Sequence, residues 1–484
     1  MSPHRLRTVN AGDVRPAGDY VLYWMVAARR ARFNFALERA VDWAHELHRP
    51  LLVVEPLRVD YRWASDRFHS AILQGMVDNR AAFAAAGVAY HPWVEPCRGA
   101  GTGMFAAFAS RACVVVTDAS PVHFLPRWLA AVQKCPGPQL EAIDGHGILP
   151  LAATPGPFAT AHAFRRFLQA HLPPGLEDWP EADPLRRAPP APHDGLSLPT
   201  QWPAAPLDRL ASGPEALAEL PIDHSVPPVA RRSGPVAATR ALEGFVSENL
   251  AHYADKRGDL ASDASSGLSA HLHFGHISAH ELVEAVTRAA GSTVGGPRGR
   301  ATGKKIGWWG LPASSEMFLD EAVTWRELGA VQAHHCPGTH DGYEAVPGWA
   351  RITLDAHAED ERPVLYDLAT LSSAGTHDPL WNAAQRQLVR EGRIHNYLRM
   401  LWGKKVIEWS PSPAEAFARL TELNNRYALD GRDPNSASGI SWCFGHYDRP
   451  WGPVRPIFGT VRYMSSANTQ RKMDTRTYVQ RYSE

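Results

Sequence analysis

The stretch from His377 to Asn435 constrains this chain most, because it places charges and tryptophans where an amphipathic helix would carry aliphatic core. It reads as two helices followed by a polar turn. Trp402 and Trp409 are seven residues apart, two helical turns, so both lie on one face at a spacing of about 10 Å along the axis. With Trp381 they form either packed core or a file of indoles able to pass electrons. Arg399 falls one turn before Trp402, and Asp430 stands in the turn beyond the next helix. A buried charge is tolerated mainly when paired, so Arg399 and Asp430 are expected to meet beside something polar and planar. Asn424 also interrupts an apolar helical pattern. The plain structural account makes the indoles core and the polar groups helix caps.

The order of these residues is more specific than any one of them. HDPLWN, then GRIHNYLRMLWGKKVIEW, then LNNRYALDGRDPN, resembles the flavin-binding helical domain of the class II cyclobutane pyrimidine dimer photolyases. The resemblance implies a noncovalent FAD in a folded shape, read by Arg399, Asn424 and Asp430, with Asp433 in the same motif and Met400 on the substrate side. It implies that Asn424 sits near the flavin N5. Trp381, Trp402 and Trp409 would relay the electrons that photoreduce the flavin. The implied fold is α/β, an N-terminal doubly wound parallel-sheet domain followed by a C-terminal all-helical FAD-binding domain.

Charge and cysteine usage narrow the setting. Lys+Arg and Asp+Glu both number 50, so the chain as a whole gives no sign of a nucleic-acid partner. From Tyr366 to the end there are 16 Lys/Arg against 11 Asp/Glu, an excess of 5, a modest basic bias where a DNA backbone would lie. The five cysteines, Cys97, Cys113, Cys135, Cys336 and Cys443, are scattered without a CxxC pair, as in a reducing compartment. His334, His335, Cys336 and His340 crowd together, but no second cluster completes a familiar zinc spacing, so no metal is expected. The N-terminus is polar and no run of about 18 apolar residues occurs, which predicts a soluble, cytoplasmic protein away from membranes, expected as a monomer.

The first 172 residues alternate strand and helix. Strands are predicted at Tyr20–Met25, Pro50–Leu57, Val88–Trp93 and Cys113–Asp118, with helices near Phe35–Leu47, Phe68–Ala86 and Met104–Arg111 between them. Apolar runs of this kind predict a parallel sheet covered by helices on both faces. Such sheets bind ligands beyond the carboxyl ends of their strands, so the segments after Met25, Val54 and Asp118 are where a second, antenna chromophore would sit; whether one binds is left open. YWMVAARRARFNFALERA, TDASPV and IDGHGILPL resemble the same family, with a departure: Phe33 stands where the family usually carries Asp before the Asn at Asn34.

Residues 173–235 are too rich in proline for regular helices and read as an interdomain connection. Helical periodicity resumes at 236 and continues to 484. Ser265, Ser266 and Ser269 flank Gly267 and Leu268 before a helix; plain N-capping explains such serines, and amides with hydroxyls there also suit phosphate. The segment from Tyr253 to Ser278 resembles the family's diphosphate-binding region. That likeness would put Tyr253, Arg257 and the turn Ser265, Ser266, Gly267, Leu268, Ser269 on the FAD phosphates and ribityl chain. The loop Ser292–Pro312 is basic, with Arg298, Arg300, Lys304 and Lys305 beside Trp308 and Trp309; it reads as a solvated insertion or as a contact for DNA phosphates.

Glu321 and Trp325 are four apart in FLDEAVTWREL and share a helix face. Matched to the family's pair, Glu321 would hydrogen-bond a pyrimidine carbonyl while Trp325 packs on the dimer, with Trp442 as its partner across the pocket. Arg449 and Arg462 in the tail would contact DNA phosphates. The resemblance thus implies light-driven repair of UV-damaged DNA, in which reduced FAD lends an electron to a flipped-out cyclobutane pyrimidine dimer. The alternative is a cryptochrome-like flavin photoreceptor without repair. Retention of Glu321, Trp325 and Trp442 argues against it, since signalling has no need of a dimer pocket.

Overall fold

The computed structural model describes every residue except His193, Asp194, Pro297 and Glu484, leaving aside the side chains of 173–175. His193 and Asp194 belong to the predicted connection and Pro297 to the basic loop, and these positions lie outside the described residues. The chain forms two compact units, one of residues 1–155, 171–244 and 267–296, the other of 156–170, 245–266 and 297–484.

The first unit is built on a six-stranded sheet: β1 (Leu6–Thr8), β2 (Tyr20–Trp24), β3 (Leu51–Leu57), β4 (Ala89–Val94), β5 (Ala112–Ala119) and β6 (Leu140–Asp144). The order is β1-β6-β5-β2-β3-β4. All pairings are parallel except β1 with β6. Side chains alternate along a strand, and here both faces are buried. Leu22, Trp24, Leu52, Val54 and Val115 feed one core while Val21, Tyr23, Leu51, Val53 and Val116 feed the other, which is why the strands read as unbroken apolar runs. Helix α1 (Phe35–Glu46) begins at Asn34, whose side chain accepts from the Ala36 and Leu37 amides, and packs its buried face on the second core. Helix α2 (Asp66–Ala85) follows β3.

The edge strand β1 escaped the sequence reading. Three residues, LRT, carry no periodicity, and only their pairing with β6 makes them a strand. At the carboxyl ends of the central strands the carboxylates are engaged by the protein itself. Asp118 accepts from the backbone amides of Val26, Ala27 and Ala28 and from the Tyr23 hydroxyl at 2.7–3.0 Å. Glu55, fully buried, is met by Arg29 at 2.8 Å, Asn79 at 2.9 Å and the Tyr90 hydroxyl at 2.7 Å.

The second unit is helical. Where two helices were predicted there are three, α3 (Pro379–Glu391), α4 (Asn396–Glu408) and α5 (Pro413–Tyr427), followed by α6 (Pro434–Cys443). Three of the starts share one device: a capping Asp or Ser followed by proline at the first helical position, where a missing N–H costs nothing. Asp378, Ser412 and Asp433 are those caps. Gly392, at φ 68°, closes α3 in the left-handed conformation that glycine adopts without strain and so splits the predicted first helix in two. Gly403 lets α4 approach α6, since a Cβ there would collide with the Cys443 sulfur.

Candidate active site

Helix α4 is buried nearly all round, so its polar residues need partners. Arg399 donates from one terminal nitrogen to both oxygens of Asp430, at 3.1 and 3.4 Å, and both side chains are mostly buried. The expected pair therefore forms. Gly431, next to Asp430, is held against the end of α5 so closely that a Cβ would strike the Asn424 and Ala428 carbonyls. Asn424 is buried on α5, and its amide nitrogen donates to Ser436 Oγ at 2.9 Å and to Asn425 Oδ1 at 3.0 Å. Asp433 caps α6 at the Asn435 amide, 2.9 Å away. Met400 lies beside Cys443, their sulfurs 3.9 Å apart. Lys404 is fully buried and donates to the Cys443 carbonyl; burial pushes its amine down to about 8.

The three indoles form a file in the order Trp402, Trp381, Trp409. Trp402 and Trp381 are stacked at 6.5 Å with a 6° interplanar angle, and Trp381 meets Trp409 edge-on at 5.5 Å. All three are buried. Trp381 Nε1 donates to the Trp402 carbonyl at 3.0 Å, and Trp402 Nε1 to the buried Gln385 at 2.9 Å. The far end of the file continues into polar groups: Trp409 touches Tyr366 and His377, each at 5.4 Å, with Lys405 Nζ 5.4 Å from its ring centre.

Glu321 and Trp325 lie in a widened π-turn, Asp320–Trp325. Glu321 Oε1 accepts from Arg257 at 2.7 Å, an ion pair one-quarter exposed on each side. Two residues assigned from sequence to different tasks thus meet directly. Among the described residues no donor reaches the second oxygen, Oε2. The turn is anchored by Asp320, whose carboxylate takes a two-pronged bond from Arg165 at 2.6 and 3.0 Å, both side chains buried. Trp325 and Trp442 stack on each other, 5.0 Å apart at 26°. They make one aromatic wall, half-buried on both members, rather than two walls with a gap between.

Tyr253 is buried against Phe245 and Phe318, and burial raises its hydroxyl to about 12. Ser265 donates to Asp263 at 2.9 Å and accepts from Arg393 at 3.2 Å; Arg393 also grips Asp263 with two nitrogens and Glu391 with a third. Ser266 follows in the same unit. Gly267, Leu268 and Ser269 belong to the first unit. There Gly267 has φ 65°, and a Cβ would run into the Arg231 guanidinium; Ser269 opens a five-residue helix. In the tail, Arg449 and Arg462 lie 5.1 and 4.8 Å from the ring of exposed Trp451.

The two tryptophans of the basic loop are not at its surface, although Arg300, Lys304 and Lys305 are exposed. Trp308 and Trp309 are core residues, 3% and 6% exposed, with Arg298 packed on both rings. Glu316 accepts from the Leu311 amide at 3.1 Å and the Trp308 amide at 3.3 Å, and so folds the loop inward. Neither indole is available to stack on a base. Among the described residues no group of three or more His, Cys, Asp or Glu is placed to hold a metal, and no helix is long and apolar enough to cross a membrane.

Sequence reasoning missed Arg165, Gln385, Arg393, Lys404, Asn425 and Ser436. Gln385 had a signal, standing one helical turn after Trp381, and Arg393 and Lys404 lie inside the motif that was read. Arg165 had none, since 155 residues separate it from Asp320.

No family model matches the chain. It is 31% identical over 483 residues to the deoxyribodipyrimidine photo-lyase of Methanothermobacter thermautotrophicus, covering 99% of this chain and 97% of that one. It is 32% identical over 494 residues to the deoxyribodipyrimidine photo-lyase of Oryza sativa subsp. japonica, covering 98% and 89%. Among solved structures, a bacterial class III photolyase from Agrobacterium tumefaciens matches with a TM-score of 0.70 over 96% of this chain and 86% of that one; at 17% identity this likeness speaks for the fold. Near full-length identity above 30% to curated relatives places the chain: it belongs to the photolyase/cryptochrome family.

Proposed function

We propose that this protein is a light-driven DNA repair enzyme of the class II kind, which splits cyclobutane pyrimidine dimers with noncovalent reduced FAD. The observation that carries the reading is the buried file Trp402–Trp381–Trp409 starting on the helix that also bears Arg399, the cation of the Arg399–Asp430 pair. An ordinary core would use aliphatic residues there, whereas ring contacts of 5.5 and 6.5 Å suit stepwise electron transfer. In this reading residues 1–172 are the α/β domain, 173–235 the connection and 236–484 the domain that holds cofactor and DNA, bounds that differ from the compact units, where 156–170 fall in the helical unit and 171–244 and 267–296 in the sheet unit.

The donor set fits a flavin. Arg399 with Asp430 offers a planar cation and an anion side by side, and Asn424 has an amide oxygen that accepts no bond from any described residue. These residues with Tyr253, Arg257 and Asp433 would hold FAD, and Ser265 and Ser266, leading into Gly267–Ser269, would take its phosphates. Reduced FAD, when bound, supplies light absorption and one electron that is lent to the dimer and returned, with no net redox change.

The protein's own groups do the rest. A damaged dinucleotide stacks poorly and is cheap to swing out of the duplex. The Trp325–Trp442 wall and Met400 give it an apolar surface. Glu321 would face a pyrimidine carbonyl with Oε2 and share a proton with it as the dimer takes up the electron, while Arg257 keeps Oε1 occupied and the carboxyl aimed. Arg449 and Arg462, spread by Trp451, would meet phosphates and set register without reading sequence. Trp409, Trp381 and Trp402 would pass electrons inward along the file. The test is a pair of damaged oligonucleotides given to reduced, illuminated protein. The reading expects intact thymines from the cyclobutane dimer alone; repair of the (6-4) product instead would overturn the lesion assignment.

A further inference from the structure

The oxygen and nitrogen of a side-chain amide have the same shape, so its orientation is set by its partners. Around Asn424 those partners form a chain that starts at a group with no choice. The backbone N–H of Arg432 can only donate, and it points at the Asn425 side chain at 2.9 Å. That fixes Asn425 with its Oδ1 toward Arg432. The same Oδ1 faces the Asn424 amide at 3.0 Å, so Asn424 must present Nδ2 there. Its second N–H goes to Ser436 Oγ at 2.9 Å. Turning Asn424 over would set two carbonyl oxygens against each other in a site where Asn424, Asn425 and Ser436 are 3%, 7% and 5% exposed. Turning both amides over would leave the Arg432 N–H facing an NH2 group. Arg432 itself is held in place at φ 69° by the Gly431 turn.

We propose that Asn425 is a positioning residue that locks the Asn424 amide with Oδ1 as its only unclaimed edge, Ser436 taking the second N–H, so that Asn424 meets a bound flavin as a hydrogen-bond acceptor and favours the reduced ring. This rests on the reading that puts Asn424 beside flavin N5. Reduced flavin carries hydrogen on N5 and can donate to Oδ1; oxidised flavin has only a lone pair there and gains nothing from it. The lock therefore discriminates between two redox forms of one cofactor, and its loss should act on them with opposite sign.

The experiment measures the affinity of flavin-stripped full-length protein for oxidised FAD in air and for reduced FAD without oxygen, by fluorescence quenching. Asn425→Ala frees the amide to turn. Reduced FAD should then bind about fivefold more weakly, the worth of one net hydrogen bond, while oxidised FAD binds as well or better because Nδ2 can now reach N5. Asn425→Ser, whose hydroxyl serves either orientation of the amide, should shift the two affinities in the same opposite senses by less, and it carries the test if Asn425→Ala does not fold. A merely structural role predicts that both forms weaken together. That result, or equal affinities in variant and unmodified protein, overturns the lock. An unmodified protein that binds neither form overturns the flavin reading itself.

Discussion

Arg165→Met removes the cation that anchors the turn carrying Glu321. Arg165 meets Asp320 through two bonds of 2.6 and 3.0 Å and donates from its remaining nitrogen to the Gly303 carbonyl at 3.2 Å, with side chains 6% and 4% exposed. Methionine fills much of the same volume, so the loss is electrostatic. It leaves a buried carboxylate without a counter-charge, which costs about 3–5 kcal/mol. A chain of this size has a urea m-value of roughly 3 kcal/mol/M or more, so the midpoint should fall by about 1 M. Arg165→Met with Asp320→Leu removes both charges and should recover to within roughly 1 kcal/mol of the unmodified protein. The assay is urea unfolding followed by far-UV circular dichroism, with the coupling taken from the full cycle of single and double variants. A loss below about 1 kcal/mol for Arg165→Met, or a double variant no better than the single one, would refute the argument that this pair is desolvated and mutually required.

Three further outcomes follow from the site. Trp381→Phe, at the middle of the file, should abolish photoreduction of bound flavin while sparing repair by chemically reduced protein; photoreduction that survives removes Trp381 from the route. Glu321→Ala should slow dimer splitting by about 10²-fold or more, in the range of a lost transition-state hydrogen-bond donor, and leave flavin absorbance in place; unchanged repair would sink the assignment. Burial holds His446 down to about 4, whereas the unfolded chain titrates near 6.5. The folded state thus refuses a proton that the unfolded state accepts, so stability is full above about 6.5 and is lost as pH falls toward 4. His446 alone should account for about 2 kcal/mol between pH 7.5 and 5; His446→Phe should flatten that slope, measured by urea melts at both pH values.

What the sequence made legible follows from how local each signal is. Asp378, Ser412 and Asp433, each followed by proline, cap helix starts, but the helical pattern read through Gly392, so two helices were expected where there are three. The apolar runs of β2, β3 and β5 announce a sheet buried on both faces. The Arg399–Asp430 pair was readable because a buried charge demands a partner and few candidates stood near. The order of the indoles was not readable, because helix spacing relates Trp402 to Trp409 but only the packing of α3 on α4 puts Trp381 between them. Likewise Arg257 and Glu321 are 64 residues apart, and nothing in either segment announces the other. Trp308 and Trp309 misled for the opposite reason: their basic neighbours suggested a surface, while Glu316, outside the basic cluster, folds the loop so that both rings are buried.

The most direct measurement is repair of a cyclobutane thymine dimer in a short oligonucleotide by the purified, reduced protein, under blue light and in darkness. The account predicts intact thymines recovered under light and none in the dark. A protein that comes out yellow, photoreduces normally and restores no thymine under light would contradict it.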